Sequence, residues 1–222
     1  MNASQERFSL EIQPENPNLI FRWTRDGISC HKEIRQEAFI SCFRQALKAP
    51  PVFTGLLPAN CVSYAKRPDG LEQVAICVEP SFADIAYHDT TYQHFPMPRL
   101  LYRFSFVRGH RIQGVKLAVL DKGYLRPASR LFYYPFSNVA QSGALCTGSN
   151  VLPKCESLHS LASLPMYIMS MKNNDDHFST DRNKENLPYR TLLERMKNKS
   201  PEDYYTNVLV LRKETLGEFL EQ

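Results

Sequence analysis

Between Leu100 and Val119 the chain alternates apolar and polar residues twice over, with a turn between the runs. Leu100, Tyr102, Phe104 and Phe106 are answered by Ile112, Val115, Leu117 and Val119 across Arg108-Gly109-His110. A period of two belongs to a half-buried strand, and two such runs joined by a short turn predict an antiparallel pair. A sheet with one apolar face must be covered by another layer, so this pair dictates much of what surrounds it. Upstream, Cys61-Val62-Ser63-Tyr64 and Val74-Ala75-Ile76-Cys77-Val78 flank Pro68-Asp69-Gly70, a second hairpin signal. Further upstream, Phe8, Leu10 and Ile12 alternate, and the runs from Leu19 and from Ile28 flank Arg25-Asp26-Gly27, a third. Between Glu33 and Leu47 the period changes: Ile34, Ala38, Cys42 and Ala46 line one face of a helix, which Pro50-Pro51 ends. Tyr189, Leu192, Leu193 and Met196 restore helical spacing near the end, with Pro188 suited to a first turn.

The order is helix, antiparallel meander, irregular loop, helices. It predicts an α+β fold with a one-sided sheet and excludes the strand–helix alternation of a parallel nucleotide-binding sheet. Residues 1–32 are expected to form an N-terminal β elaboration built on a hairpin, and residues 33–222 a single globular unit whose N-terminal helix packs on the meander. Lys172 to Leu187 is the most polar stretch and is expected to be a mobile loop. With 43% hydrophobic and 23% charged residues in 222, the chain can bury a core, which excludes wholesale disorder. Lys and Arg exceed Asp and Glu by 27 − 23 = 4, too little and too scattered to imply nucleic acid. Met1 to Arg7 lacks an apolar run behind a basic head, and no stretch of eighteen apolar residues suggests a membrane span. Six cysteines without paired spacing are expected to be reduced thiols, and the expected compartment is the cytoplasm.

Chemistry concentrates after Asp121, where the pattern breaks. Within Tyr134-Pro135-Phe136-Ser137-Asn138-Val139-Ala140-Gln141-Ser142-Gly143-Ala144-Leu145-Cys146, a cysteine follows a strand end, with a glycine three residues and an asparagine eight residues before it. An irregular loop on a rigid sheet is a natural place for a reactive group. A lone cysteine is more often a small buried hydrophobe, and Cys42 and Cys77 fit that description on their helix and strand. Cys146 does not, because Gly143, Thr147, Gly148, Ser149 and Asn150 around it cannot make a packed core.

The segment resembles the active-site region of ubiquitin-conjugating enzymes, where His-Pro-Asn precedes a glycine and then the catalytic cysteine. Asn138, Gly143 and Cys146 stand at that motif's offsets, and Leu145 matches the apolar residue before the cysteine. The wider chain is similar to a bacterial branch of that superfamily, prokaryotic family D, known as protein B of the PRTRC genetic system. That likeness is carried by Leu56-Leu57-Pro58, Pro96-Met97-Pro98-Arg99-Leu100-Leu101, Arg126-Pro127, Pro135-Phe136-Ser137-Asn138-Val139, Cys146-Thr147-Gly148-Ser149 and Pro153. The chain departs from the eukaryotic motif at Ser137, where that motif has proline, and at Phe136, where it has histidine. It also lacks the Phe-Thr-His segment common in bacterial relatives, offering Ser170-Met171-Lys172-Asn173 instead, so no histidine role is carried across.

The resemblance implies a ubiquitin-conjugating fold and a carrier enzyme. Cys146 would accept a ubiquitin-like protein as a thioester from a ThiF-type activating enzyme and pass it to an amine of a target, with a metal-dependent deconjugating protease in the same pathway. The carrier needs no cofactor or metal of its own. Cysteine, with a free pKa of about 8.5, is already nucleophilic as the few per cent of thiolate present at neutral pH. Asn138 would donate to the oxyanion of the aminolysis step or pin the loop, with an ordinary turn asparagine as the plain reading. Asp175 and Asp176 are the acidic pair nearest in sequence, either aiding amine deprotonation or simply solvated. Other readings are a catalytically inactive module that only binds a ubiquitin-like partner, and a cysteine hydrolase in which His159 or His177 pairs with Cys146. A zinc site from Cys146, Cys155 and His159 lacks a fourth ligand. Arg99, Arg103, Arg108, His110, Arg111 and Lys116 are expected on the exposed side of the strand pair, as solubilising residues or as a face for an acidic partner.

Overall fold

The computed structural model describes residues 7–13, 15–25, 27–46, 54–67, 69–107 and 111–222. The chain divides into two compact units, Met1–Phe53 and Thr54–Gln222. In the first, strands β1 (Arg7–Glu11), β2 (Asn18–Arg25) and β3 (Ile28–Arg35) form an antiparallel sheet in that order, followed by helix α1 (Gln36–Ala46). All eight residues of β3 pair with β2, from Asn18↔Arg35 to Arg25↔Ile28, so the strand runs three residues further than the helical spacing suggests. Strand passes into helix without a break, and α1 touches β2 and β3. The division therefore falls at 53/54 rather than after residue 32. Cys42 is exposed on α1, not buried as its spacing suggests. Asp26, Pro50-Pro51 and the Arg108-Gly109-His110 turn lie outside the described residues.

The second unit is built on a six-stranded antiparallel sheet. Its strands are β4 (Cys61–Lys66), β5 (Glu72–Val78), β8 (Leu100–Val107), β9 (Arg111–Leu120), β10 (Arg130–Phe132) and β11 (Leu211–Thr215). Their spatial order is β11-β10-β9-β8-β5-β4. The expected strand pair is its centre, with Leu100↔Val119, Tyr102↔Leu117 and Phe104↔Val115 in register. Between β5 and β8 rises a separate hairpin of β6 (Ser81–Tyr87) and β7 (Thr90–Met97). Helices α2 (Leu164–Met169), α3 (Tyr189–Met196), α4 (Asp203–Asn207) and α5 (Leu216–Glu221) follow the sheet's centre in sequence.

One face of the sheet carries the main core, where Val74, Ile76, Leu100, Tyr102, Phe104 and Leu117 pack with α2, α3 and the hairpin. The other face is covered as well, which corrects the one-sided sheet. Ala75, Cys77, Leu101, Ala118, Leu120 and Leu131 pack there against Leu216 and Phe219 of α5. Helix α5 is short but firmly started: Thr215 caps it and Glu218 reaches back to the Thr215 N–H, a reciprocal capping box. This second layer also buries Arg103 to 3% exposure, its guanidinium over the Phe219 ring and bonded to the Phe219 carbonyl. Lys116 reaches Gln222 and Arg99 pairs with Glu79, while Arg111 is exposed, so only part of the expected basic face is free of structural contacts. Arg108 and His110 lie outside the described residues. No helix among the described residues is long and apolar enough to cross a membrane.

Candidate active site

After β10 the chain leaves the sheet through buried aromatic residues. Phe136 packs edge-on against Tyr134, Phe95 and Tyr204, which fixes where the next segment begins. Asn138 then takes a left-handed backbone, φ +63°, a conformation asparagine tolerates better than most residues. From there to Cys146 the chain closes a small hairpin. Val139 bridges Leu145, the Ala140 N–H donates to the Ala144 carbonyl at 2.8 Å, and the Cys146 N–H donates to the Asn138 carbonyl at 2.7 Å. The spacing between Asn138 and Cys146 is thus the length of one tight hairpin whose two ends are bonded to each other.

The hairpin is laid against β9. The Leu117 N–H donates to the Gly143 carbonyl at 2.8 Å, and the Leu145 N–H to the Val115 carbonyl at 2.9 Å. Gly143 has φ +89°, and a Cβ there would stand 2.8 Å from the Leu117 carbonyl oxygen and 3.0 Å from Arg212 Nη1. Both the handedness and the close approach demand glycine. Arg212 reaches in from β11, donates to the Ser142 carbonyl at 3.3 Å, pairs with Glu214, and lies between the Tyr133 and Phe219 rings.

Cys146 emerges from this frame exposed, and among the described residues its thiol has no hydrogen-bond or ion-pair partner. Burial pushes the thiols of Cys61 and Cys155 up and that of Cys77 up to about 11, disfavouring their thiolates. Cys30 is half-buried and Cys42 exposed, both in the first unit. His159 and His177 are exposed and make no bond to Cys146 among the described residues. No group of three His, Cys, Asp or Glu among the described residues could hold a metal ion.

The polar stretch 172–187 is anchored rather than loose, which corrects the expected mobile loop. Asn173, Arg182 and Asn183 are buried in it. Asn173 forms a bridge with Tyr87 of the β6–β7 hairpin, and Asn183 one with Leu209. Arg182 sends Nη1 to the Val139 carbonyl at 2.5 Å and Nη2 to the His177 carbonyl, and burial lowers its pKa from the usual value. The same stretch grips Asn138: the Asn138 N–H donates to the Asp176 carbonyl at 3.1 Å, and Nδ2 donates to the Lys172 carbonyl at 3.0 Å. The Asp175 carboxylate accepts from Tyr87 Oη at 2.8 Å, with His88 Nε2 at 3.4 Å. The Tyr87 hydrogen bond chiefly holds the Asp175 pKa below its ordinary value. Asp176 turns its carboxylate to Asn174 Nδ2.

Asn138 and Cys146 are therefore brought together through the backbone, while the Asn138 side chain is directed to Lys172. Sequence reasoning assigned no role to Asn173, Arg182 or Arg212: the first two stand in a polar run, and Arg212, after Val208-Leu209-Val210-Leu211, showed only a charge at the end of an apolar one. Chemically, the arrangement presents a solvent-open thiol on a loop bonded to sheet, aromatic core and polar strap. Comparison with curated proteins and with solved structures found no match. The family model for prokaryotic E2 family D matches residues 55–211, well over half of the chain and nearly all of the second unit, and the chain belongs to that family.

Proposed function

We propose that this protein is a ubiquitin-conjugating-type carrier with Cys146 as its acceptor. The observation that carries the reading is the exposed, unpartnered Cys146 thiol at the end of a hairpin that Asn138 closes. In the loading step the Cys146 thiolate attacks the thioester carbonyl joining a ubiquitin-like protein to its activating enzyme. A carbon–sulfur bond forms at Cys146, and the activating enzyme's cysteine leaves as thiolate. In discharge a target amine attacks the new thioester, the tetrahedral oxyanion collapses, Cys146 leaves, and the amine's proton passes to water. An asparagine amide has two N–H donors. One of Asn138's is held by Lys172, and the second is the donor this reading assigns to the oxyanion. The partners are then the modifier, a ThiF-type activating enzyme and a target protein, with a deconjugating protease to reverse the reaction. The likeness to protein B of the PRTRC system belongs to the same proposal.

The test is direct. With activating enzyme, modifier and ATP, the protein should form an adduct that thiol reductant removes, and Cys146→Lys should convert it to a reductant-stable amide. Loss of the adduct on changing another cysteine to Ala, with Cys146→Ala unaffected, would overturn the assignment.

A further inference from the structure

Behind Asn138 lies a clasp between two pairs of neighbouring residues. Ser137 and Asn138 sit on one segment, Lys172 and Asn173 on the other. Asn138 Nδ2 donates to the Lys172 carbonyl at 3.0 Å, while Ser137 Oγ donates to Asn173 Oδ1 at 2.9 Å. Asn173 is 8% exposed, and its amide fills its whole hydrogen-bonding capacity. Oδ1 also accepts from Tyr189 Oη at 3.1 Å, and Nδ2 donates to the Ala86 carbonyl at 3.3 Å and the Met171 carbonyl at 3.2 Å. Its backbone completes the tie to the hairpin: its N–H donates to the Ala86 carbonyl at 2.8 Å, and its carbonyl accepts from the His88 N–H at 3.1 Å. One side chain thus joins α3, the β6–β7 hairpin and the start of the cysteine loop.

We infer that Asn173 is a positioning residue for Asn138, setting the direction of its amide and the left-handed turn that opens the Cys146 hairpin. The fully bonded amide explains the geometry. A buried polar group with every partner in place admits one orientation, because any other leaves a donor or acceptor unmet. Asn173 fixes the height of the Lys172 carbonyl on one side and of Ser137 on the other, so Asn138 is held from both. The inference rests on the carrier reading, in which the Asn138 amide matters in discharge more than in loading.

Asn183 supplies the control. It too is buried in the same stretch, its side chain donates to the Thr180 and Leu187 carbonyls and accepts from the Leu187 N–H, and among the described residues it makes no hydrogen bond to the cysteine hairpin. Three variants of the full chain, Asn173→Ala, Ser137→Ala and Asn183→Ala, are compared for stability, thioester loading and single-turnover discharge to free lysine. Asn173→Ala and Ser137→Ala should slow discharge at least about tenfold with loading within about twofold, as a misplaced catalytic group would. Asn183→Ala should lower stability and leave discharge alone. If Asn183→Ala slows discharge as much, or neither of the others does, Asn173 is structural only. Ser137→Ala, which removes one oxygen, keeps the test alive should Asn173→Ala fail to fold. A second readout needs no partner protein: the side-chain amide resonances of Asn138 should shift and exchange faster in Ser137→Ala than in Asn183→Ala. Were the wild type to form no thioester, the carrier reading would fall and the amide readout alone would decide this one. Unchanged Asn138 amide signals would overturn it.

Discussion

Two stretches meet around Cys146 and are held in opposite ways. The hairpin from Asn138 to Cys146 is fastened chiefly by backbone, its own ladder and two bonds to β9, with Arg182 and Arg212 bonded to its carbonyls at the margins. The stretch from Lys172 to Leu187 has few ladder bonds and is fastened by the buried side chains of Asn173, Arg182 and Asn183. The difference shows that a polar run is not by itself a loose one. Amides and a guanidinium that find carbonyls order most of a segment that has only Phe178 and Leu187 to pack against the core, because leaving those groups unmet when buried costs more than ordering them.

If the hairpin is set by its backbone, the most damaging change is one that pushes it off β9. Gly143→Ala places a Cβ against the Leu117 carbonyl oxygen, in a left-handed conformation, and although the Arg212 side chain beside it could shift, that backbone oxygen cannot. Strain and displacement together should cost about 3 kcal/mol. Chemical denaturation would measure it, and a loss below about 1 kcal/mol would mean that the β9 bonds do not fix the hairpin.

The sequence located the loop and singled out Cys146 on it, but marked the segment only as irregular. The hairpin was not legible, because its ladder is a few backbone bonds between residues with no strand period. The central strand pair and α3 were legible because their periods are clean. The β6–β7 hairpin was not, since a register shift between Ala83 and Ile85 breaks its alternation, and His88 and His94 take left-handed backbone. Asp84 steadies that irregularity by accepting from the His94 N–H at 2.9 Å. Helix α5 escaped notice because six residues show no period. Its real signal was the Thr215 to Glu218 cap, and without that helix Arg103 reads as an exposed residue. The 172–187 stretch was illegible because composition does not reveal which polar side chains will find partners.

Arg182 lies where the two modes of fastening meet, with one nitrogen on each stretch. Arg182→Met should remove both bonds, strand the carbonyls of Val139 and His177, and cost about 2 kcal/mol. Its sharper signature is local: hydrogen exchange should accelerate across residues 177–187 while the β9 bonds of the hairpin keep their protection. Arg182→Lys should not restore the stretch, since a single ammonium lacks the fork that reaches two carbonyls. Equal acceleration in both stretches would erase the distinction between them.

The smallest effect belongs to Asp175, on the exposed margin of the polar stretch. Its carboxylate is held by Tyr87 Oη, with His88 beside it and Arg190 stacked on the Tyr87 ring at 4.9 Å. The folded pKa is depressed, so folding favours the ionised form. That stabilisation is complete above the unfolded carboxylate value of about 3.9 and is lost as pH falls through the lower, folded value. Because the group is largely exposed, solvent screening limits it to a few tenths of a kcal/mol. Asp175→Asn keeps an acceptor for Tyr87 and loses only the charge. Wild type should therefore be slightly the more stable near neutral pH, and the two should converge in acid. A gap that persists unchanged below the folded value would assign the contribution to shape rather than charge. The polar stretch would then owe its order to its buried amides and guanidinium, with Phe178 and Leu187 packed against the core.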